Sequence, residues 1–371
     1  MNILVFSWRD PKHPLAGGAE QVDHEHHKGW IAAGHNVTLF SSKFLGAKDE
    51  EFVDNVKIIR KGSQYLTCHI YAFVWYLFNK HDAFDLAVDE FHGWPFFTPF
   101  YIKKPKLAVI QEVTREVWLK YPLPYGLNYI LGGIGYVLEP LFFLPYRNIE
   151  FMIGSESAKN ELSAFGINKK NITVVPHGVL LDLPKKLSQR ELKKTVIFLG
   201  ALAKDKGIED AITAFSVLNK KGDYQFWVVG KGDRDYLEFL KGLAKRNNVN
   251  VKFFGFVLQK EKFQLLSRAH VMINPSIREG FGLVNIEANA VGTPVVAYNS
   301  PGLTDSVKDG VSGILCKKNS PEELAKEVSD ILNDTEKYNE LQKGAIEWSK
   351  KFNWENSRKL SLALIEKIGL K

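Results

Sequence analysis

The chain is poor in sulfur, with two cysteines, Cys68 and Cys316, and three methionines in 371 residues. Two cysteines far apart in sequence, each in an apolar stretch, supply neither a disulfide framework nor a metal-ligand spacing. They point to a reducing compartment. Long hydrophobic runs are missing as well. Tyr65–Phe78 falls short of the roughly 20 residues needed to cross a bilayer, and Glu139-Pro140 interrupts the apolar stretch that begins at Leu127. Asn2–Phe6 has no basic segment ahead of it and is too short for a leader, so it reads as a core strand. No D-x-D carboxylate motif is read near a strand end, which is consistent with chemistry that needs neither metal nor cofactor. Internal repeats and low-complexity tracts are also absent.

What is there is an ordinary globular composition, 45% hydrophobic and 25% charged, in a chain long enough for two domains. The net charge is +7, and acidic and basic side chains balance over residues 1–175, so the excess lies in the C-terminal half. Its lysines and arginines are scattered along helix faces, which suits a small polyanion such as a nucleoside diphosphate and not a nucleic acid.

Buried strands alternate with helices in two rounds. The first takes in Asn2–Phe6, Asn36–Phe40, Val56–Ile59, Leu86–Val88, Leu107–Gln111, Phe151–Gly154 and Ile172–Val175. The second takes in Thr195–Gly200, Gln225–Gly230, Val251–Phe254, Val271–Asn274 and Val295–Tyr298. Near-continuous apolar strands separated by helices imply parallel sheets covered on both faces. The expectation is an α/β chain of two doubly wound, Rossmann-like domains facing a cleft, residues 1–175 and 176–354. Glu347–Ile368 reads as one terminal amphipathic helix.

The most informative stretch is Asn274–Tyr298. Glu279 should lie on the loop after a strand, followed by the bend Gly280-Phe281-Gly282 and a helix from Leu283. Glu287 should lie about two turns along that helix. The first amides of such a helix form a ready anion site. A carboxylate beside a phosphate is repelled by it and needs another purpose, of which gripping sugar hydroxyls is the obvious one.

This segment resembles the E-x7-E signature of retaining glycosyltransferases of the family 4 type. The resemblance implies a GT-B architecture and metal-independent, retaining transfer from a nucleoside-diphosphate sugar to a glycan or lipid-linked acceptor. By position, Glu279 lies beside the transferred sugar and Glu287 binds the ribose. Val196–Ile212 resembles the family's diphosphate-clamping motif. Lys206 matches its Lys, whereas Ala201 occupies the place of its Arg. Val251–Ser276 resembles the stretch where the nucleobase packs, here near Phe256 and Val257. Phe253 and Phe254 are expected in the core. The terminal helix, about 355–371, should complete the N-terminal domain.

The first half resembles the family more loosely. Gly17 and Gly18 precede a helix and let backbone approach a phosphate. Gln111 stands where the family commonly has a catalytic His. The acceptor-side candidates are His92 and Arg115. Two alternatives stay open, a sugar-nucleotide epimerase on the same fold and a catalytically silent subunit of a glycosylation complex.

Two features lie outside the resemblance. His24, His26 and His27 look like a metal cluster, yet they read better as residues of a solvated helix. Residues 65–146 mix aromatics with Lys103, Lys104, Lys106, Arg115 and Lys120. Most of the aromatics should fill a core. The remainder suit a cytoplasmic protein lying on the inner, anionic face of a membrane.

Overall fold

The computed structural model describes residues 1–64, 67–78, 83–91, 93–115, 117–120, 127–179, 183, 186–220 and 222–369. The chain divides into two compact units, Met1–Gly178 with Trp354–Lys371, and Val179–Asn353.

Unit 1 begins with β1 (Asn2–Ser7), α1 (Gly18–Ala32), β2 (Asn36–Ser41), β3 (Glu50–Val53), β4 (Val56–Arg60) and α2 (Thr67–Phe78). It continues with β5 (Leu86–Glu90), β6 (Lys106–Ile110), α3 (Val117–Lys120), α4 (Leu127–Phe142), β7 (Glu150–Ile153), α5 (Glu156–Ala164) and β8 (Ile172–Val174). The eight strands order as β3-β4-β2-β1-β5-β6-β7-β8. All neighbours are parallel except β3 and β4. The winding reverses between β1 and β5, which makes the C-terminal ends of those strands the switch point where open α/β sheets take ligands. β3 is absent from the strands expected of the sequence, because Glu50-Glu51 hides its pattern. It is held by a two-residue turn, Asp54-Asn55, with both φ positive at 46° and 65°, the geometry a tight hairpin favours.

The three histidines of α1 are not solvated. His24, His26 and His27 are all buried, because α1 is covered by the sheet on one side and by α13 (Trp354–Gly369) on the other. Each finds its own partner: His24 pairs with Asp54 at 2.8 Å, His26 with Ser357 at 3.0 Å and His27 with Glu90 at 2.7 Å. Burial drives all three imidazoles toward the neutral form, His27 down to about 3. Among the described residues no group of three metal-ligating side chains exists.

The single terminal helix expected over Glu347–Ile368 is two helices. α12 (Thr335–Ser349) ends in unit 2 and α13 starts in unit 1. Phe352 packs on Phe281, with ring centres 5.2 Å apart, whereas Trp354 meets His26 at 6.1 Å. Anchors in two different cores, two residues apart, break the helix between them.

Glu139 and Pro140 do not interrupt α4, which runs through both. The buried Glu139 carboxylate accepts the N–H groups of Thr114 and Arg115. No described helix is long and apolar enough to cross a membrane. The aromatics divide more evenly than expected. Trp75, Phe84, Phe91, Phe96, Phe143 and Tyr146 are buried, while Tyr71, Phe73, Phe78, Trp94 and Phe100 are exposed. Tyr65 and Leu66 lie outside the described residues.

Unit 2 runs β9 (Lys194–Leu199), α6 (Ile208–Asn219), β10 (Tyr224–Val229), α7 (Arg234–Arg246), β11 (Val251–Gly255) and α8 (Gln259–Arg268). Then come β12 (Val271–Asn274), α9 (Leu283–Ala290), β13 (Val295–Ala297), α10 (Leu303–Ser306), β14 (Gly313–Leu315) and α11 (Pro321–Asn333), ahead of α12. Its six-stranded sheet, β11-β10-β9-β12-β13-β14, is parallel throughout. Both cysteines are buried and free, and burial pushes each thiol up to about 12.

Candidate active site

The loops that leave the C-terminal ends of β9, β12 and β13 interlock. The Ile277 N–H donates to the Asp205 carbonyl at 3.0 Å, and the Glu279 N–H donates to the Pro301 carbonyl at 3.1 Å. Two glycines make this contact possible. A Cβ on Gly207 (φ 70°) would sit 2.1 Å from the Pro275 carbonyl oxygen, and one on Gly302 (φ 80°) would sit 2.0 Å from that of Glu279. Both also hold positive φ, which other residues adopt only at a cost.

Glu279 is fixed at the head of this assembly. Its Oε1 accepts from Ser276 Oγ at 2.9 Å and its Oε2 accepts from Lys206 Nζ at 2.9 Å. Lys206 ends a short 3-10 turn before α6, and its ammonium also lies 3.6 Å from Asp205. One cation and one carboxylate from separate loops thus meet, both partly exposed to solvent. Gly280 and Phe281 carry the chain to Gly282, the left-handed N-cap of α9. Phe281 is buried among Val179, Ile286 and Phe352, so its ring holds the loop in place. The amides from Leu283 onward open α9.

Glu287 is the fifth residue of α9, just over one turn in and nearer the helix start than expected. Lys262 of α8 donates to its Oε1 at 2.6 Å. Burial pushes the Glu287 carboxyl up, and the Lys262 ammonium pulls it partly back. Val257, between β11 and α8, packs half-buried on the unit 2 core, as do Phe253 and Phe254, whereas Phe256 is exposed.

Ala201 is exposed where the family resemblance expects an Arg. The next loop supplies a cation that sequence reasoning misses. Lys231 accepts the Leu202 N–H on its backbone carbonyl at 2.9 Å, and its ammonium lies 5.7 Å from the Phe256 ring centre. Ser276 and Lys262 are missed in the same way. Neither has a motif of its own, and only their contacts with Glu279 and Glu287 bring them to the site. The sequence does hold a D-x-D triplet shortly after β10, Asp233-Arg234-Asp235. Asp233 is engaged as the N-cap of α7, accepting the N–H groups of Asp235 and Tyr236.

In unit 1, Gly17 is the N-cap of α1, and its N–H donates to Glu20 Oε2 at 2.7 Å. A carboxylate of the chain itself therefore occupies the amide expected to meet a phosphate, and Gly18 opens the helix behind it. Gln111 donates to Asp23 at 2.8 Å in a buried cluster with Glu90. Burial raises Glu90 to about 8 and also raises Asp23. Arg115 has a left-handed backbone (φ 43°) and stacks 4.2 Å from the Phe165 ring. His92 lies outside the described residues.

Residues 182–348 match the family Glycosyl transferases group 1. An uncharacterized glycosyltransferase of Methanocaldococcus jannaschii is 31% identical over 159 residues, covering 43% of this chain and 44% of that protein. The matched stretch spans 44%, 59% and 64% of the length of three of the curated relatives. Among solved structures, sucrose-phosphate synthase from Thermosynechococcus elongatus superposes with a TM-score of 0.79 at 22% identity, over 99% of this chain and 98% of that one. An Anabaena protein solved in complex with UDP and glucose superposes with a TM-score of 0.73 at 17% identity, over 99% and 100%. Residues 182–348 are thus similar to a group 1 glycosyltransferase domain, and the chain has the GT-B fold, with two Rossmann-like units each built on a largely parallel sheet.

Proposed function

We propose that this chain transfers a sugar, with retention and without a metal ion, from a nucleoside-diphosphate sugar to a lipid-linked saccharide at a membrane surface. The observation that carries the reading is the Lys206–Glu279 pair at 2.9 Å, held by interlocked loops beside the α9 N-terminus. Lys206 and the first α9 amides stabilise the departing diphosphate, and fixed charges and dipoles of this kind supply most of the rate enhancement in many enzymes. Lys231 supplies part of the charge that an Arg at position 201 would bring. Glu279 positions the transferred sugar, and Glu287 takes the ribose hydroxyls. Residues 176–354 hold the donor, while residues 1–175, completed by α13, take the acceptor. The Anabaena relative solved with UDP and glucose supports a donor of this class. Incubation with labelled uridine, guanosine and adenosine diphosphate sugars tests the activity. Transfer or slow hydrolysis supports it, whereas epimer formation or binding alone overturns it.

Glu287→Ala is expected to weaken free nucleoside diphosphate and intact donor alike, by tenfold or more, because a ribose contact is common to both. A hydrogen bond to a charged group contributes about 1.5–3 kcal/mol. The variant also leaves Lys262 without its 2.6 Å partner. Titration calorimetry with both ligands checks this, and unchanged affinity would reduce Glu287 to a structural residue.

The membrane part of the reading rests on the exposed apolar side of α2, formed by Ile70, Tyr71, Val74, Leu77 and Phe78, and on exposed Val137 and Leu141 of α4. Exposed apolar surface of this extent marks an interaction site. Lys103 and Lys104 are also exposed. Binding to vesicles rich in anionic lipid is expected to be salt-sensitive, and binding to neutral vesicles weak. Each Lys near such a surface contributes on the order of 1 kcal/mol, so reversing Lys103, Lys104 and Lys106 together should release the protein. Failure to co-sediment at low salt would assign the chain a soluble acceptor.

A further inference from the structure

Unit 1 holds a cavity of about 740 Å³ between α2 and the segment Trp94–Tyr101. Its walls are Ile70 and Phe73 of α2 with Trp94, Phe97 and Phe100, and no charged side chain among the described residues lines it. His69 stacks on Phe96 at 4.3 Å, bonds the Trp94 carbonyl at 3.2 Å and is pushed toward neutrality by burial. The volume lies in the range that takes one drug-sized ligand.

Three further observations point to a ligand. Gln64 is only 6% exposed, lines the cavity, and its Nε2 has no partner among the described residues. Tyr101 also lines the cavity, and its hydroxyl is buried with no partner among the described residues. Buried donors left unmade are costly and rare, so an acceptor beyond the described residues is favoured at each. Phe97 in the wall holds a left-handed backbone (φ 53°), a strain that a bulky residue keeps where the surroundings require it. Finally, Trp8, Gln64 and Trp94 follow the C-terminal ends of β1, β4 and β5. The cavity therefore opens beside the switch point between β1 and β5, where the acceptor of a doubly wound domain is expected.

We propose that this cavity holds the hydrocarbon chain of a lipid-phosphate acceptor, with the phosphate linkage at the Trp8–Gln64 end. The Arg9 guanidinium lies 4.1 Å over the Trp8 ring and brings positive charge to that end, partly offset by Glu20 at 3.4 Å. The Gln64 amide donates to the linking oxygen. The chain runs from there along Phe73 toward Tyr101, on the segment that returns to the start of β6. This assignment rests on the transferase reading and deepens it by naming what distinguishes the acceptor, a prenyl or fatty chain in place of a bare saccharide.

The test uses the full chain, with farnesyl phosphate as the probe and quenching of tryptophan fluorescence as the readout. Saturable binding is expected below the micellar range, with geranyl phosphate weaker and inorganic phosphate silent, because affinity follows buried apolar area. Phe73→Glu and Ile70→Glu place a charge in the cavity at helix positions that are 42% and 53% exposed, where folding tolerates it. Each is expected to lower farnesyl phosphate affinity tenfold or more at an unchanged melting temperature. Gln64→Leu is expected to cost several-fold. Equal affinity in the folded glutamate variants, or no binding of farnesyl phosphate to the wild type, overturns the assignment. Thermal shift with UDP, GDP and ADP on the same samples separates the two readings. Nucleotide binding without chain binding removes the cavity assignment and leaves the transferase. Chain binding without any nucleotide does the reverse.

Discussion

Glu279→Gln is expected to lower turnover by about two to three orders of magnitude while leaving free nucleoside diphosphate affinity unchanged or slightly raised. The magnitude is that of removing one group that acts mainly on the transition state. The amide has the shape of the carboxylate, and its carbonyl oxygen can still accept from Ser276 or from Lys206, which lie at 2.9 Å from Glu279. Interlocking of the loops depends on the Glu279 backbone and on Gly302, neither of which changes. The loss is therefore of negative charge beside the sugar, not of structure. The same loss frees the Lys206 ammonium to meet phosphate, which is why ground-state binding should not fall. Steady-state kinetics and calorimetry on one preparation decide the matter. Parallel losses in nucleotide binding and in turnover would exclude a role confined to the transferred sugar.

The second large effect is a bell-shaped dependence of unit 1 stability on pH, with its maximum between about 4.5 and 6.5. On the alkaline side Glu90 decides. Its folded value of about 8 lies above the ordinary 4.5, so its contribution is full below 4.5 and is lost as pH rises through 8. Above 6.5 the buried histidines are neutral in both states and offer no compensation. The fall from pH 6.5 to 8.5 should be about 2 kcal/mol at 1.36 kcal/mol per unit. On the acid side His27, at about 3, and His177, a buried residue of unit 1 that follows β8 and is held by burial at about 4, decide. Both lie below the ordinary 6.5, so their contribution is full above 6.5 and is lost as pH falls toward those values. Between 4.5 and 6.5 the two trends oppose. Below 4.5 the carboxyl contribution is already complete, and each histidine should cost about 1 kcal/mol over the next unit. Urea unfolding across pH 3.5–8.5 maps the curve, and Glu90→Gln should flatten its alkaline limb alone. Stability that rises steadily to pH 8.5 would contradict the burial assigned to Glu90.

Much of this architecture was legible because parallel, doubly covered strands are written as uninterrupted apolar runs. Val271–Asn274 and Val295–Ala297 could hardly be anything else, and the glycines between them mark the loop that carries Glu279. Elements whose stability comes from neighbours were not legible. β3 is rich in charge and exists because Asp54-Asn55 turns it back on β4. β14 is three residues long and gains its identity from pairing with β13. The histidines of α1 carry the polar signature of a surface helix. They became buried because Asp54, Ser357 and Glu90 arrive from distant parts of the chain to satisfy them. The same limit applied at the candidate site. Glu279, Glu287 and Lys206 sit in recognisable local patterns, whereas Lys262, Ser276 and Lys231 are ordinary residues until the loops assemble.

The membership of α13 in unit 1 has a consequence for how the protein is made. Trp30 of α1 donates to Ser361 at 3.2 Å, and Arg358 pairs with Glu25, so the face of α1 is completed by residues translated after all of Val179–Asn353. A ribosome releases unit 2 as a contiguous piece whose ends already meet, the Val179 N–H bonding the Phe352 carbonyl at 3.3 Å. Unit 1 must wait, with the buried flank of α1 uncovered, until the last helix emerges. Unit 2 is thus an inserted domain in genetic terms. Expression of residues 179–353 alone is expected to give a folded fragment, whereas a stop codon near position 354 should orphan the N-terminal unit and spare the domain encoded later.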